Sequence, residues 1–281
     1  QMLGEALLCQ SNVACTNPIQ SLCTSSNQGS PLVHPLDNTE RNAADPNANL
    51  DHRAFGINIC DTVPLAYAVL TEDNISSEFA VTRIARITIK DGRLHLHALR
   101  KHVPLPEDAI CFPYWVLRNM VDMSQALTFL DVGWGGSSSM GRVYARMMGD
   151  TPRSNQYVWF CTGEKGPSYV NTVFCAHSNK GLPGEWLGIG DGRFTIPLVS
   201  DLTTGSEYCH PKEAGIISAV RMGEDNSCQN GKFGVTIKSS PGKSSVAFGR
   251  VESGLSIFEL VAELGQINQA SVIDCGIVIP L

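Results

Sequence analysis

The sequence predicts a mainly β protein: a closed barrel carrying two helices, preceded by a small α/β extension. Three observations predict it. From Leu127 onward, short β-prone runs are broken by glycines at close intervals, the texture of many short strands. Two stretches of that region carry helix-start signals. Upstream, Asp91-Gly92 joins two β-rich runs, 81–89 and 93–99, and Asp-Gly is among the strongest short hairpin signals.

The helices come next. Asp150-Thr151-Pro152 reads as an N-cap with proline in the opening turn, leading into Tyr157-Val158-Trp159-Phe160. Ser256-Ile257-Phe258-Glu259 reads as a capping box, followed by Leu260, Val261 and Leu264 and closed by Gly265. Many short strands with two helices suit a closed barrel with helical caps. Residues 56–126 read as a small appended α/β unit in which Cys111 to Met123 forms a helix or a packing strap. That block is too small to bury much alone and must lean on the region from Leu127 onward. The free edge of its hairpin is a candidate for strand addition. Residues 1–55, rich in Asn, Ser, Gln and Pro, read as an arm or linker with a short helix through Leu3 to Leu8.

Composition narrows the function. Of 281 residues, 43% are hydrophobic and 17% charged, enough apolar material for a core. The 21 basic and 27 acidic residues leave a net charge of −6, which argues against phosphate-backbone binding. No run approaches the ~20 apolar residues of a membrane helix. Glu5 stands where a secretory signal carries positive charge. The ten cysteines are too sparse for a disulfide scaffold, and reduced thiols in the cytoplasm or nucleus are expected. Gln1 suits a piece of a longer protein, and Leu281, soon after the last strand, suits a native C-terminus.

Other chemistries find little support. Cys9, Cys15 and Cys23 with His34 and His52, or His95, His97 and His102, are the only metal-like clusters, and no CxxC pair occurs. His95 and His97 alternate with leucines, as on the outward face of a strand. Neither metal nor cofactor is expected. Gly133-Trp134-Gly135-Gly136 and Gly188-Ile189-Gly190-Asp191-Gly192 lack a following Gly-Lys-Ser/Thr and read as turns. Ser137-Ser138-Ser139 lacks the framing of a nucleophile elbow.

Several stretches are together similar to the cyclophilins, the peptidyl-prolyl isomerases. Phe129-Leu130-Asp131-Val132 and then Gly141-Arg142-Val143 resemble the opening strands. Cys161-Thr162-Gly163-Glu164-Lys165-Gly166 resembles the loop after the first helix, and Gly215-Ile216-Ile217-Ser218 the central strand. Val246-Ala247-Phe248-Gly249-Arg250-Val251, the helix from Ser256 and Ile273-Asp274-Cys275-Gly276 come after them in order. The resemblance covers 127–281 and implies an eight-stranded antiparallel barrel with two capping helices.

The departures bear on activity. Amide rotation faces a barrier of ~18–20 kcal/mol, so the isomerase needs a fixed donor for the proline nitrogen and an apolar pocket for the ring. The family's donor is an arginine in Phe-His-Arg, and here the stretch is Phe174-Cys175-Ala176. By the same resemblance the aromatic wall falls at Glu185, with Trp186 after it, and the glutamine becomes Gly188. The substrate-binding asparagine maps to Arg221. Gly231-Lys232-Phe233-Gly234-Val235 replaces Gly-Ser-Gln-Phe-Phe, putting Val235 at the pocket floor, and the family's histidine falls at Ser244 or Ser245. A pocket lined by Glu185, Arg221 and Lys232 is costly for a proline ring to enter.

The expected function is therefore that of a pseudo-enzyme with no catalytic residue, a protein–protein interaction or scaffold module of a larger protein. Trp134, Trp186 and Arg221 are its candidate contact residues. Two alternatives stand beside it: a divergent but active prolyl isomerase, and a metal- or nucleic-acid-associated module using the N-terminal Cys and His residues.

Overall fold

The structure, a computed structural model, describes residues 66–72, 81–101, 103–136, 138–190, 208–220 and 231–280. The expected arm over 1–55, Cys9, Cys15, Cys23, His34, His52, His102 and Arg221 lie outside these residues. Five strands precede the barrel: β1 (Ala66–Glu72), β2 (Val81–Lys90), β3 (Arg93–His97), β4 (Arg100–Lys101) and β5 (Ile110–Pro113). The next five are β6 (Leu127–Trp134), β7 (Ser138–Met147), β8 (Thr172–Ser178), β9 (Trp186–Ile189) and β10 (His210–Pro211). The last five are β11 (Ile216–Ala219), β12 (Phe233–Thr236), β13 (Lys243–Ser244), β14 (Ala247–Ser253) and β15 (Ala270–Ile279). Helices are α1 (Tyr114–Arg118), α2 (Pro152–Thr162) and α3 (Leu255–Leu264).

Eight strands close a ring in the order β15-β6-β7-β14-β11-β12-β9-β8, with β8 returning to β15. Every neighbouring pair in that ring is antiparallel. This is the expected eight-stranded antiparallel barrel, and closure leaves it no free edge. Its interior is aromatic: Tyr157 from α2 packs against Phe233, Tyr169 and Phe248 with ring centroids 5.0, 5.3 and 5.3 Å apart.

Both barrel helices sit where the sequence placed them. The cap of α2 is Thr151, whose Oγ1 accepts from the Ser154 backbone N–H while Ser154 Oγ accepts from that of Thr151. The start of α3 differs: Gly254, at φ 85°, is the cap, and Ser256 makes no cap bond. A left-handed residue there is open to glycine at no steric cost, so the turn geometry displaces the serine cap. Gly265 ends α3 in the left-handed conformation, as expected.

The preceding strands join the same sheet. Along one edge of β15, Ser271 and Val272 pair with β8, whereas Gly276 to Ile279 pair with β3. Strands β2, β1 and β5 continue outward from β3. The Asp91-Gly92 turn has φ of 53° and 68°, as a two-residue hairpin of the predicted type requires. Neither edge of that hairpin is free, because β1 covers β2 and β15 covers β3. Strand addition at 81–99 is therefore excluded. Gly276 permits the close approach: a Cβ there would overlap the Leu96 carbonyl oxygen and lie 2.7 Å from Phe129.

Because β3 is interior, His95 and His97 are buried rather than outward. Each meets the Phe129 ring edge-on at 5.1 Å. His95 Nε2 lies 2.9 Å from Tyr144 Oη. His97 Nδ1 lies 2.9 Å from Asp274 Oδ2, and its Nε2 2.7 Å from Thr88 Oγ1. Both imidazoles are thus used by the seam, and among the described residues no group of three His, Cys, Asp or Glu is placed to hold a metal ion.

The second join uses the loop after α2. Tyr114 Oη and Arg118 Nε both donate to Glu164 Oε2, at 2.7 and 2.8 Å. The Arg83 guanidinium donates to the carbonyls of Gly163 and Glu164, and the Leu99 N–H donates to Thr162 O at 2.8 Å. Glu164 is only 5% exposed. Removing one member of a buried pair strands the other, at a cost of roughly 3–5 kcal/mol. Glu164→Ala is accordingly expected to lower stability by about that amount in urea unfolding, and a loss well short of it, under ~1 kcal/mol, would contradict the buried anchor.

Acid should loosen the seam as well. Burial, with the nearby Arg142 guanidinium, pushes His95 down to about 4. An unfolded histidine near 6.5 takes up its proton first, so stability is complete above pH ~6.5 and falls as pH drops toward 4, by up to about 3 kcal/mol. Unfolding midpoints measured from neutral pH down to about pH 4.5 should fall for the native chain and stay flatter for His95→Gln.

Candidate functional site

Strands β8, β9, β12, β11 and β14 lie side by side, and their pairing sets one residue of each in a row: Ala176, Gly188, Gly234, Ser218 and Ala247. No side chain in this row is larger than a hydroxymethyl group. Cys175 is the extra residue of a bulge between Phe174 and Ala176 and is exposed. Trp186, two residues before Gly188 and on the same face, lays its indole along the row. A Cβ built at Gly188 would meet Trp186 Cζ3 at 2.8 Å, and one at Gly234 would meet Cε3 at 2.9 Å. The glycines are the space that the indole occupies.

Beside the indole runs a groove of about 430 Å³, bordered by Pro183, Trp186, Ser218, Gly234, Thr236 and Ser244, with Asn179 and Lys212 at its rim. Ser218 Oγ and Ser244 Oγ are 3.1 Å apart at its base. The β10–β13 ribbon, in which His210 faces Ser244 and Pro211 faces Lys243, contributes Ser244 to it. Among the described lining residues there is no arginine, no phenylalanine and no carboxylate.

The sequence-predicted positions divide into groups. Trp186 and Ser244 line the groove, and Ala176 and Gly188 belong to the row beneath the indole. Glu185 does not form a wall. Its carboxylate is buried between His177 Nε2 at 2.8 Å and Lys238 Nζ at 3.0 Å. Burial pushes that carboxyl up, but hydrogen bonds from His177, Lys238 and the Gly181 backbone outweigh it and hold the group at about 2.

Val235 is not at the floor. It is fully buried in the barrel core with Phe233, and Gly234 rather than Val235 borders the groove. A one-residue slip in register exchanges the two faces of a strand. Lys232 lies outside the groove, its carbonyl accepting from the Arg153 guanidinium at 2.7 Å. Trp134 ends β6, opposite Ser138 and Ala270, and is half-buried against the core rather than in a turn. Sequence reasoning missed Gly234, although the apolar alternation Phe233, Val235, Ile237 marks the inward face and so leaves Gly234 outward. It also passed over Trp115, the tryptophan most exposed among the described residues at 46%.

No protein-family model matches the sequence, and no curated protein matches it. Among solved structures, the crystal structure of the Mimivirus cyclophilin aligns at 15% identity, covering 56% of this chain and 91% of that one, with a TM-score of 0.42. No helix among the described residues is long and apolar enough to cross a membrane.

The packing of the indole makes a direct demand. Gly234→Val should force Trp186 off the row, destabilising the fold by about 1–3 kcal/mol through overpacking. It should also move the Trp186 part of the emission, defined by difference from Trp186→Phe, to longer wavelength. Unchanged emission would contradict the packing.

Proposed function

We propose that residues 127–281 form a cyclophilin-like barrel without isomerase activity that serves as a protein-binding module, with strands β1 to β5 built onto its sheet. The reading is supported by the ordered motifs, by the closed eight-stranded barrel and above all by one observation: Trp186 covers a row without long side chains where an isomerase needs a donor and a proline pocket.

The transition state of amide rotation has a pyramidal nitrogen that must be met by a pre-positioned donor. Ala176 offers a methyl group in its place. The Lys212 ammonium at the rim is a flexible point charge, a poor replacement for a planar guanidinium. The indole over Gly188 and Gly234 occupies the depression a proline ring would enter. What persists is a shaped, accessible groove on a rigid barrel, and rigid shape with accessible side chains is what recognition uses.

An assay of cis-to-trans exchange in a proline peptide should show no acceleration by the protein, the uncatalysed reaction running over tens to hundreds of seconds. Ala176→Arg should remain inactive, because Trp186 still fills the ring site. Acceleration by the unaltered chain would overturn the proposal.

A further inference from the structure

The groove beside Trp186 has an uneven polar chemistry. Lys212 is exposed at its rim and makes no ion pair among the described residues. The described acids nearest in sequence are already taken: Glu213 by Arg250, and Glu185 by His177 and Lys238. Lys212 is therefore the one charged side chain among the described residues that line the groove, in a chain whose net charge is −6.

The floor adds donors. Between Ser218 and Ser244 one hydroxyl proton makes the mutual bond, which leaves the other to point elsewhere. Thr236 lines the groove with its hydroxyl unengaged among the described residues, and Asn179 commits one amide hydrogen to Gly184 O and keeps the second. Ammonium and amide N–H groups donate, and no described carboxylate competes for them. Pro183 and the indole supply the apolar side. A cation and hydroxyl donors together with an aromatic plane match an acidic segment with apolar residues between its carboxylates.

We infer that this groove binds an acidic, extended protein segment, with a carboxylate at Lys212 above the Ser218–Ser244 floor and an apolar neighbour on the Trp186 indole. This rests on the reading of the barrel as an inactive binding module, and it names the chemistry of the partner.

The test is a calorimetric titration of the full chain, at low salt, with an acetylated decapeptide of alternating glutamate and alanine. The expected result is saturable binding that weakens with salt and weakens about tenfold when glutamine replaces glutamate, as for loss of a close charge pair. Lys212→Glu, a change at an exposed position, should weaken binding similarly and should favour the matching lysine–alanine peptide. No saturable binding, equal binding of the glutamate and glutamine peptides, or indifference to Lys212→Glu would overturn the inference. Isomerisation of a proline peptide in the same preparation would overturn the underlying reading instead, so the two failures are separable.

Discussion

One edge of β15 serves two partners, and the rest of the architecture depends on that division. Its first half closes the barrel through β8, and its second half carries β3 and the sheet beyond. A strand can give each backbone edge only once, so closure must stop where the extension begins. The handover is set by residue size at Gly276, where a side chain would collide with the Leu96 carbonyl, and by Asp274. That carboxylate lies within reach of Arg86, His97 and Arg100 and accepts from the Cys275 N–H. Glu164 makes the complementary join from the loop after α2. Two histidines that would face outward in an isolated hairpin are thereby buried in a seam.

The groove arises from the same economy of space. A row of Ala176, Gly188, Gly234 and Ser218 across adjacent strands would leave a trench if nothing covered it. An aromatic ring laid in such a trench buries a large apolar area of its own against the Cα atoms beneath it. Trp186 fills it, and the fit holds only while positions 188 and 234 lack a Cβ. On the proposed reading, the missing donor, the missing pocket wall and the seated indole are one packing arrangement, which an arginine alone would not undo.

Local features of this fold were legible in the sequence, and non-local ones were not. The Asp91-Gly92 turn, the Thr151 cap and the Gly265 stop are each encoded within a few residues, by positive φ or by a hydroxyl facing free N–H groups. The cap at Ser256 failed because Gly254, two residues earlier, offered a competing geometry. The partner of β3 lies roughly 180 residues away on β15, and no local pattern reveals it. So His95 and His97 read as solvated, and the hairpin edge as open. In the candidate site Ala176, Trp186 and Gly188, which the short motifs single out, come together in space, whereas Gly234 and not Val235 borders the groove. Counting inward alternation from Phe233 would have placed Gly234 there, with Val235 in the core.

The closed row and the groove beside it both depend on the position of a single ring. Nuclear Overhauser contacts in the folded protein, between the Trp186 indole protons and the α-protons of Gly188 and Gly234, measure it directly. Strong cross-peaks from both glycines to the six-membered edge of the indole are the result this structure predicts. Their absence, with the indole in solvent above an open depression, would contradict it.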